Sequence, residues 1–150
     1  MRFQTRSGYC AAGMIVNLAR ALGQRVSEAR VRALTGTDAT GTDVTGVLAG
    51  LRGLGYTATE FTESIGTLAW STLHGSLLHG KPVGISTDDD GHWVACVGLL
   101  GPRVILVDSS RAVKNLCENG VHVLDRNALL RRWRAKAGSL YGIIVGKASR

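Results

Sequence analysis

Gln4-Thr5-Arg6-Ser7-Gly8-Tyr9-Cys10-Ala11-Ala12-Gly13-Met14-Ile15-Val16-Asn17-Leu18 is the stretch whose reading decides the fold. From Cys10 onward it is small and apolar in a pattern that predicts a buried helix, and Gln4 stands six positions before the cysteine. A helix N-terminus leaves backbone N–H groups unsatisfied and carries a partial positive charge. Both favour a thiolate, the form of cysteine that attacks carbonyls. With a side-chain amide opposite, the same N–H groups hold the oxyanion of a tetrahedral intermediate. Gln4 and Cys10 are therefore half of a thiol hydrolase. The other half is a histidine to take the proton and an acceptor to orient it.

Gly91-His92-Trp93-Val94-Ala95-Cys96-Val97-Gly98 reads as a strand opening at a histidine, and Arg103-Val104-Ile105-Leu106-Val107-Asp108 as a strand closing at an aspartate. Gly101-Pro102 between them is a turn signal, so the two runs are expected to pair as an antiparallel hairpin. Eight residues separate His92 from the turn and five separate the turn from Asp108, a mismatch that a bulge or a diagonal pairing absorbs. His92 and Asp108 then lie at the same end of the hairpin. In the familiar triad arrangement the carboxylate accepts the imidazole's Nδ1–H, and that contact is expected here.

The Gln4–Ala12 block, the Gly91-His92-Trp93-Val94 strand, the strand ending in Asp108-Ser109 and the order Gln, Cys, His, Asp resemble the bacteriocin-processing, double-glycine leader peptidases. These are papain-like cysteine peptidases of bacteria, often fused to peptide exporters. The resemblance spans nearly the whole chain and is strongest over residues 3–22 and 91–109. It implies Cys10 as nucleophile, His92 as general base, Asp108 as its orienter, Gln4 as oxyanion donor, and a peptide or protein as substrate. Ala11 and Ser109 stand where many members carry glycine and proline. The wider papain-like group also holds deamidases, acyltransferases and catalytically inactive binding modules.

Along the chain, helices are expected near residues 10–22, 27–34, 43–54, 67–79 and 127–136, the third capped by Asp43. Strands are expected near 56–60, 82–86, 92–100, 103–108 and 141–145, with Trp133 and Leu140 packed beneath the last. Helices first and antiparallel strands after is an α+β layout, consistent with a papain-like fold in which N-terminal helices pack on a C-terminal antiparallel sheet. At 150 residues and 45% apolar, residues 1–150 read as one stand-alone domain.

No apolar run approaches the roughly 18 residues of a membrane span, and the N-terminal residues do not read as an export signal. Three cysteines without paired spacing suit a reducing, cytoplasmic setting, in which a nucleophilic thiol stays unoxidised. No cofactor or metal is implied: Cys117 and His122 make only a two-ligand fragment. Cys96, in mid-strand, is expected in the core. His74 and His79 lie near a helix C-terminus, where the dipole favours them. Asp88-Asp89-Asp90-Gly91 before His92 is expected either to open the strand as an Asp-Gly turn or, alongside that, to raise the imidazole's pKa or recognise a basic substrate.

The net charge of +7 is concentrated in Arg20–Arg32 and Arg126–Lys136. The second stretch (Arg126, Arg131, Arg132, Arg134, Lys136) reads as a solvated helix face, available to an acidic partner. Nucleic acid is disfavoured, because aromatics make up only 5% of the chain and do not alternate with the arginines.

Overall fold

The computed structural model describes residues 9–37, 41–87, 92–109, 120–133 and 138–148. Three helices come first: α1 (Cys10–Ala21), α2 (Glu28–Thr35) and α3 (Val44–Gly53). They are followed by β1 (Tyr56–Glu63), α4 (Gly66–Leu78), β2 (Val83–Thr87), β3 (His92–Leu100), β4 (Arg103–Val107), β5 (Val121–Leu124), α5 (Arg126–Trp133) and β6 (Leu140–Lys147). The six strands form one sheet in the order β1-β6-β2-β3-β4-β5, each neighbouring pair antiparallel. No helix among the described residues is long and apolar enough to cross a membrane.

The fold is α+β, but helices cover both faces of the sheet. On one face Trp93 and Ala95 of β3 and Ile143 and Val145 of β6 pack with α1, α2 and α3. On the other, Val94 and Cys96 of β3, Val83 and Ile85 of β2 and Leu106 of β4 pack with α4 and α5. The period-2 alternation of β3 thus divides one strand between two cores. Trp133 and Leu140 are buried in the second, as their apolar character predicts.

Helix starts follow local capping chemistry. Ser27, Asp43 and Asp125 each accept the backbone N–H three residues on, which satisfies donors that a helix leaves open. α1 differs: Tyr9 precedes it with no capping side-chain bond, and Ala11 through Ala19 are all buried. Small residues let this helix lie directly on the sheet. A Cβ built on Gly84 of β2 would stand 2.6 Å from the Met14 sulfur, so the Met14 side chain lies directly over this glycine.

β5 was not expected. Its four residues are too few for alternation to show in the sequence, and it forms as an edge strand through its pairing with β4. The β3–β4 hairpin carries a register shift between Cys96 and Gly98, with Val97 as the extra residue. That bulge takes up one residue of the three by which the arms differ, and a diagonal offset takes up the other two.

Candidate active site

The bulge sets the far end of the hairpin. Ala95 faces Val107 across the ladder, so Asp108 follows at the level of Val94 and His92 lies one diagonal step beyond. Thr87 of β2 pairs with His92 on its other side and fixes the backbone there. The main-chain N–H of Asp108 donates to the Gly120 carbonyl at 2.9 Å, just before β5. β5 therefore anchors the residue that ends β4.

His92 and Asp108 meet directly. Nε2 of the imidazole donates to Oδ1 of Asp108 at 2.7 Å. The carboxylate is 1% exposed and the imidazole 13%. The ring is turned opposite to the expectation that Nδ1 would face the carboxylate. Its outer nitrogen reaches across to the end of β4, which leaves Nδ1, nearer the main chain, for the thiol of Cys10.

Cys10 is the first residue of α1 and is hydrogen-bonded to His92. Burial pushes its thiol pKa up. The His92 hydrogen bond, main-chain bonds at Trp93 and Ala11 and the imidazolium charge outweigh burial, and the thiol lies below its ordinary value. Burial likewise pushes His92 down, but hydrogen bonds to Asp108 and Cys10 and the charges of both raise it to about 9. A lowered thiol beside a raised imidazole describes a proton moved from sulfur to nitrogen.

Arg132, expected on a solvated face, is instead part of this group. Its Nη2 donates to Oδ2 of Asp108 at 2.5 Å, and its side chain is 12% exposed. The helical period explains the difference: Leu129 and Trp133, both fully buried, flank the same face of α5, and Arg132 falls between them. Arg126 and Arg131 are exposed as expected, while Arg134 and Lys136 lie outside the described residues.

Gln4, Asp88, Asp89, Asp90 and Cys117 also lie outside the described residues. Cys96 is buried in the core, and burial pushes its thiol up to about 12 despite the nearby Arg132. His122 is buried in β5, and burial with the charge of Arg132 lowers its pKa, against the pull of Asp108. Asp43 and Asp125 cap helices. His79 ends α4 with its ring against the Gly75 carbonyl.

A cysteine at a helix start, an imidazole bonded to it and a buried carboxylate behind the imidazole, with the helix on one face of an antiparallel sheet, define the papain-like cysteine-peptidase arrangement. Solved structures narrow the fold further, to that of double-glycine peptidase domains. The peptidase domain of Streptococcus ComA, described as a bi-functional ABC transporter involved in a quorum-sensing pathway, superposes with a TM-score of 0.69 at 14% identity, covering 98% of this chain and 97% of that one. A double-glycine-motif protease from an AMS/PCAT transporter, solved in complex with the leader peptide, gives a TM-score of 0.70 at 16% identity, over 97% of this chain and 89% of that one. The peptidase domain of Streptococcus mutans ComA gives 0.64 at 15% identity, over 97% and 98%. No protein-family model matches the sequence, and no curated protein sequence matches it.

Proposed function

We propose that this protein is a thiol peptidase that cleaves an amide bond in a peptide or protein, with Cys10 as nucleophile, His92 as proton carrier, Asp108 as its orienter and Gln4 as oxyanion donor. The observation that carries the reading is the double engagement of one imidazole, bonded to Cys10 on one side and to Asp108 on the other. The Cys10 sulfur attacks the scissile carbonyl, and the C–S bond forms as the carbonyl π pair moves to oxygen. Gln4 and the Cys10 backbone N–H hold that oxyanion. The intermediate collapses, the C–N bond breaks, and His92 gives its proton to the leaving amine. Water then attacks the thioester with His92 as base, releasing the acid and restoring the thiol–imidazole pair. The whole of residues 1–150 works as one peptidase domain in this reading, and a reducing bacterial cytoplasm suits its thiolate.

A peptide substrate is favoured by the neighbour solved with a leader peptide, whose fold this chain shares. The direct test is incubation with peptides containing a Gly-Gly leader junction, followed by mass spectrometry. Cleavage by the wild type and none by Cys10→Ala supports the reading. Labelling of Cys10 without any new amine end redirects it to acyl transfer or deamidation, and a Cys10 that reacts like an ordinary buried thiol leaves a non-catalytic binding module.

A further inference from the structure

Arg132 reaches the site from α5, on the far side of Asp108 from His92. The carboxylate between them is 1% exposed. Desolvating such an ion costs several kcal/mol unless partners compensate it, and His92 compensates only while protonated. The resting row of charges (thiolate, imidazolium, carboxylate, guanidinium) sums to zero with Arg132 present. Without it, the same buried row carries one net negative charge.

Geometry adds to charge. Oδ2 is held by a planar guanidinium and Oδ1 by the imidazole, so the carboxylate cannot turn about its Cβ–Cγ bond without losing one of them. The guanidinium is itself fixed, because Leu129 and Trp133 bury the helix face from which it projects. Its Nη1 is buried without a hydrogen-bond partner among the described residues, so its one polar engagement is with the carboxylate.

We infer that Arg132 is a positioning residue: it acts through Asp108, keeping that carboxylate ionised and aimed at Nε2 of His92, without touching substrate. The inference rests on the thiol-peptidase reading. Two effects of Arg132 on His92 oppose each other. Its charge repels the imidazolium, whereas its grip on Asp108 holds the imidazolium in place. Replacing the guanidinium by another cation leaves the repulsion and removes the grip, which separates the two.

The test is an NMR titration of the His92 imidazole in the wild type, Arg132→Lys, Asp108→Asn and the double variant, with a melting curve for each. Lysine keeps the charge and loses the planar fork. Arg132→Lys should lower the His92 midpoint by a fraction of a unit, because the charge remains and only the fork that aims the carboxylate is lost. In the Asp108→Asn background the same change should move it by a small fraction of that, because the path through the carboxylate is gone. Arg132→Gln is the second variant should lysine fail to fold; it removes the repulsion in both backgrounds, so its midpoint should move further downward, or rise less, with Asp108 present than in the Asp108→Asn background. An Arg132→Lys midpoint that stays or rises, or a shift that is the same in both backgrounds for either variant, overturns the role of Arg132. A wild-type Cys10 that alkylates no faster than an ordinary thiol overturns the peptidase reading instead.

Discussion

Cys10 and His92 are hydrogen-bonded although one opens the first helix and the other opens the third strand, and each changes the acidity of the other in the opposite sense. The thiol is lowered while the imidazole is raised to about 9, so each partner favours the state with the proton on nitrogen and a thiolate on sulfur.

The first consequence is selective alkylation. At about pH 6, where a free thiol with a pKa of about 8.5 is almost wholly protonated, a haloacetamide should label Cys10 rapidly. Cys96 is fully buried, its thiol is pushed up to about 12, and it should remain unlabelled until the protein unfolds. Peptide mapping after brief exposure measures both. Equal labelling of the two removes Cys10 from the role of nucleophile.

Stability should respond to pH through the same pair. Taken alone, His92, raised from 6.5 to about 9, contributes stability that is complete below 6.5 and is lost as pH rises to about 9. Taken alone, Cys10, lowered from 9.0, contributes stability that is complete above 9.0 and is lost as pH falls through its folded value. Where the two windows overlap, below 9.0, the slopes oppose. Cys10→Ser removes one slope and leaves the part of the other that Asp108 supplies. Its Tm should therefore fall relative to wild type as pH rises across this window. A gap between the two melting curves that does not change with pH would show that the proton has not moved.

Asp108→Asn should reduce turnover by about 10² to 10³, the scale of losing well-placed general acid–base assistance. The comparable change in a serine-protease triad costs about 10⁴. Less is expected here, because thiolate and imidazolium stabilise each other without the carboxylate. The variant should also melt lower, since it strands Arg132, 12% exposed, without its counter-charge. Breaking a buried pair in this way costs about 3–5 kcal/mol. A variant that melts lower but keeps its full rate would place Asp108 outside the working site and leave a Cys10–His92 dyad.

Gln4→Ala should leave the melting temperature unchanged and lower turnover by about 10² to 10³, the loss typical of one oxyanion donor. Its motive is the six-position spacing to Cys10. Full activity in this variant on a substrate that the wild type cleaves removes Gln4 from the role of oxyanion donor.

The parts of this molecule that the sequence makes legible are those governed by local chemistry. Asp43 is readable as a cap because the bond it makes is three residues away. The hairpin is readable because Gly101-Pro102 interrupts two apolar runs, and its uneven arms even foretell the bulge at Val97. What escapes depends on pairings between distant segments. β5 is too short to show alternation and exists through its ladder with β4. The imidazole's orientation depends on where the ends of β3 and β4 stand relative to α1, which no local pattern records. Arg132 was partly legible: Leu129 and Trp133 at i and i+4 mark a buried face, and a cation three residues after Leu129 falls on it. Charge density along Arg126–Lys136 hid that signal, because a cluster of cations reads as solvent-facing until one is matched to a buried acid.

The last prediction concerns how α1 holds Cys10 in place. The Met14 sulfur lies where a Cβ on Gly84 would come within 2.6 Å, with the Met14 methyl at 3.2 Å and Leu18 at 3.5 Å. Met14 is one helical turn after Cys10, so the contact with β2 sets how closely the catalytic end of the helix approaches β3. Gly84→Ala adds a methyl group where there is no room. Overpacking of this kind costs about 1–3 kcal/mol. Met14 is buried, so it cannot swing into solvent and must repack within the core, which loosens the contact of α1 with the sheet. Two readouts follow. The Tm should drop by several degrees, and Cys10 alkylation at about pH 6 should slow as the thiol moves from the imidazole and returns toward its ordinary pKa. Shortening the obstructing side chain should restore part of both. Met14→Ala alone opens a cavity and costs about 2–5 kcal/mol, but combined with Gly84→Ala the two changes should be less damaging than their sum, with a coupling of about 0.5–3 kcal/mol. A Gly84→Ala protein with wild-type melting and labelling would mean that the contact of Met14 with Gly84 does not place Cys10.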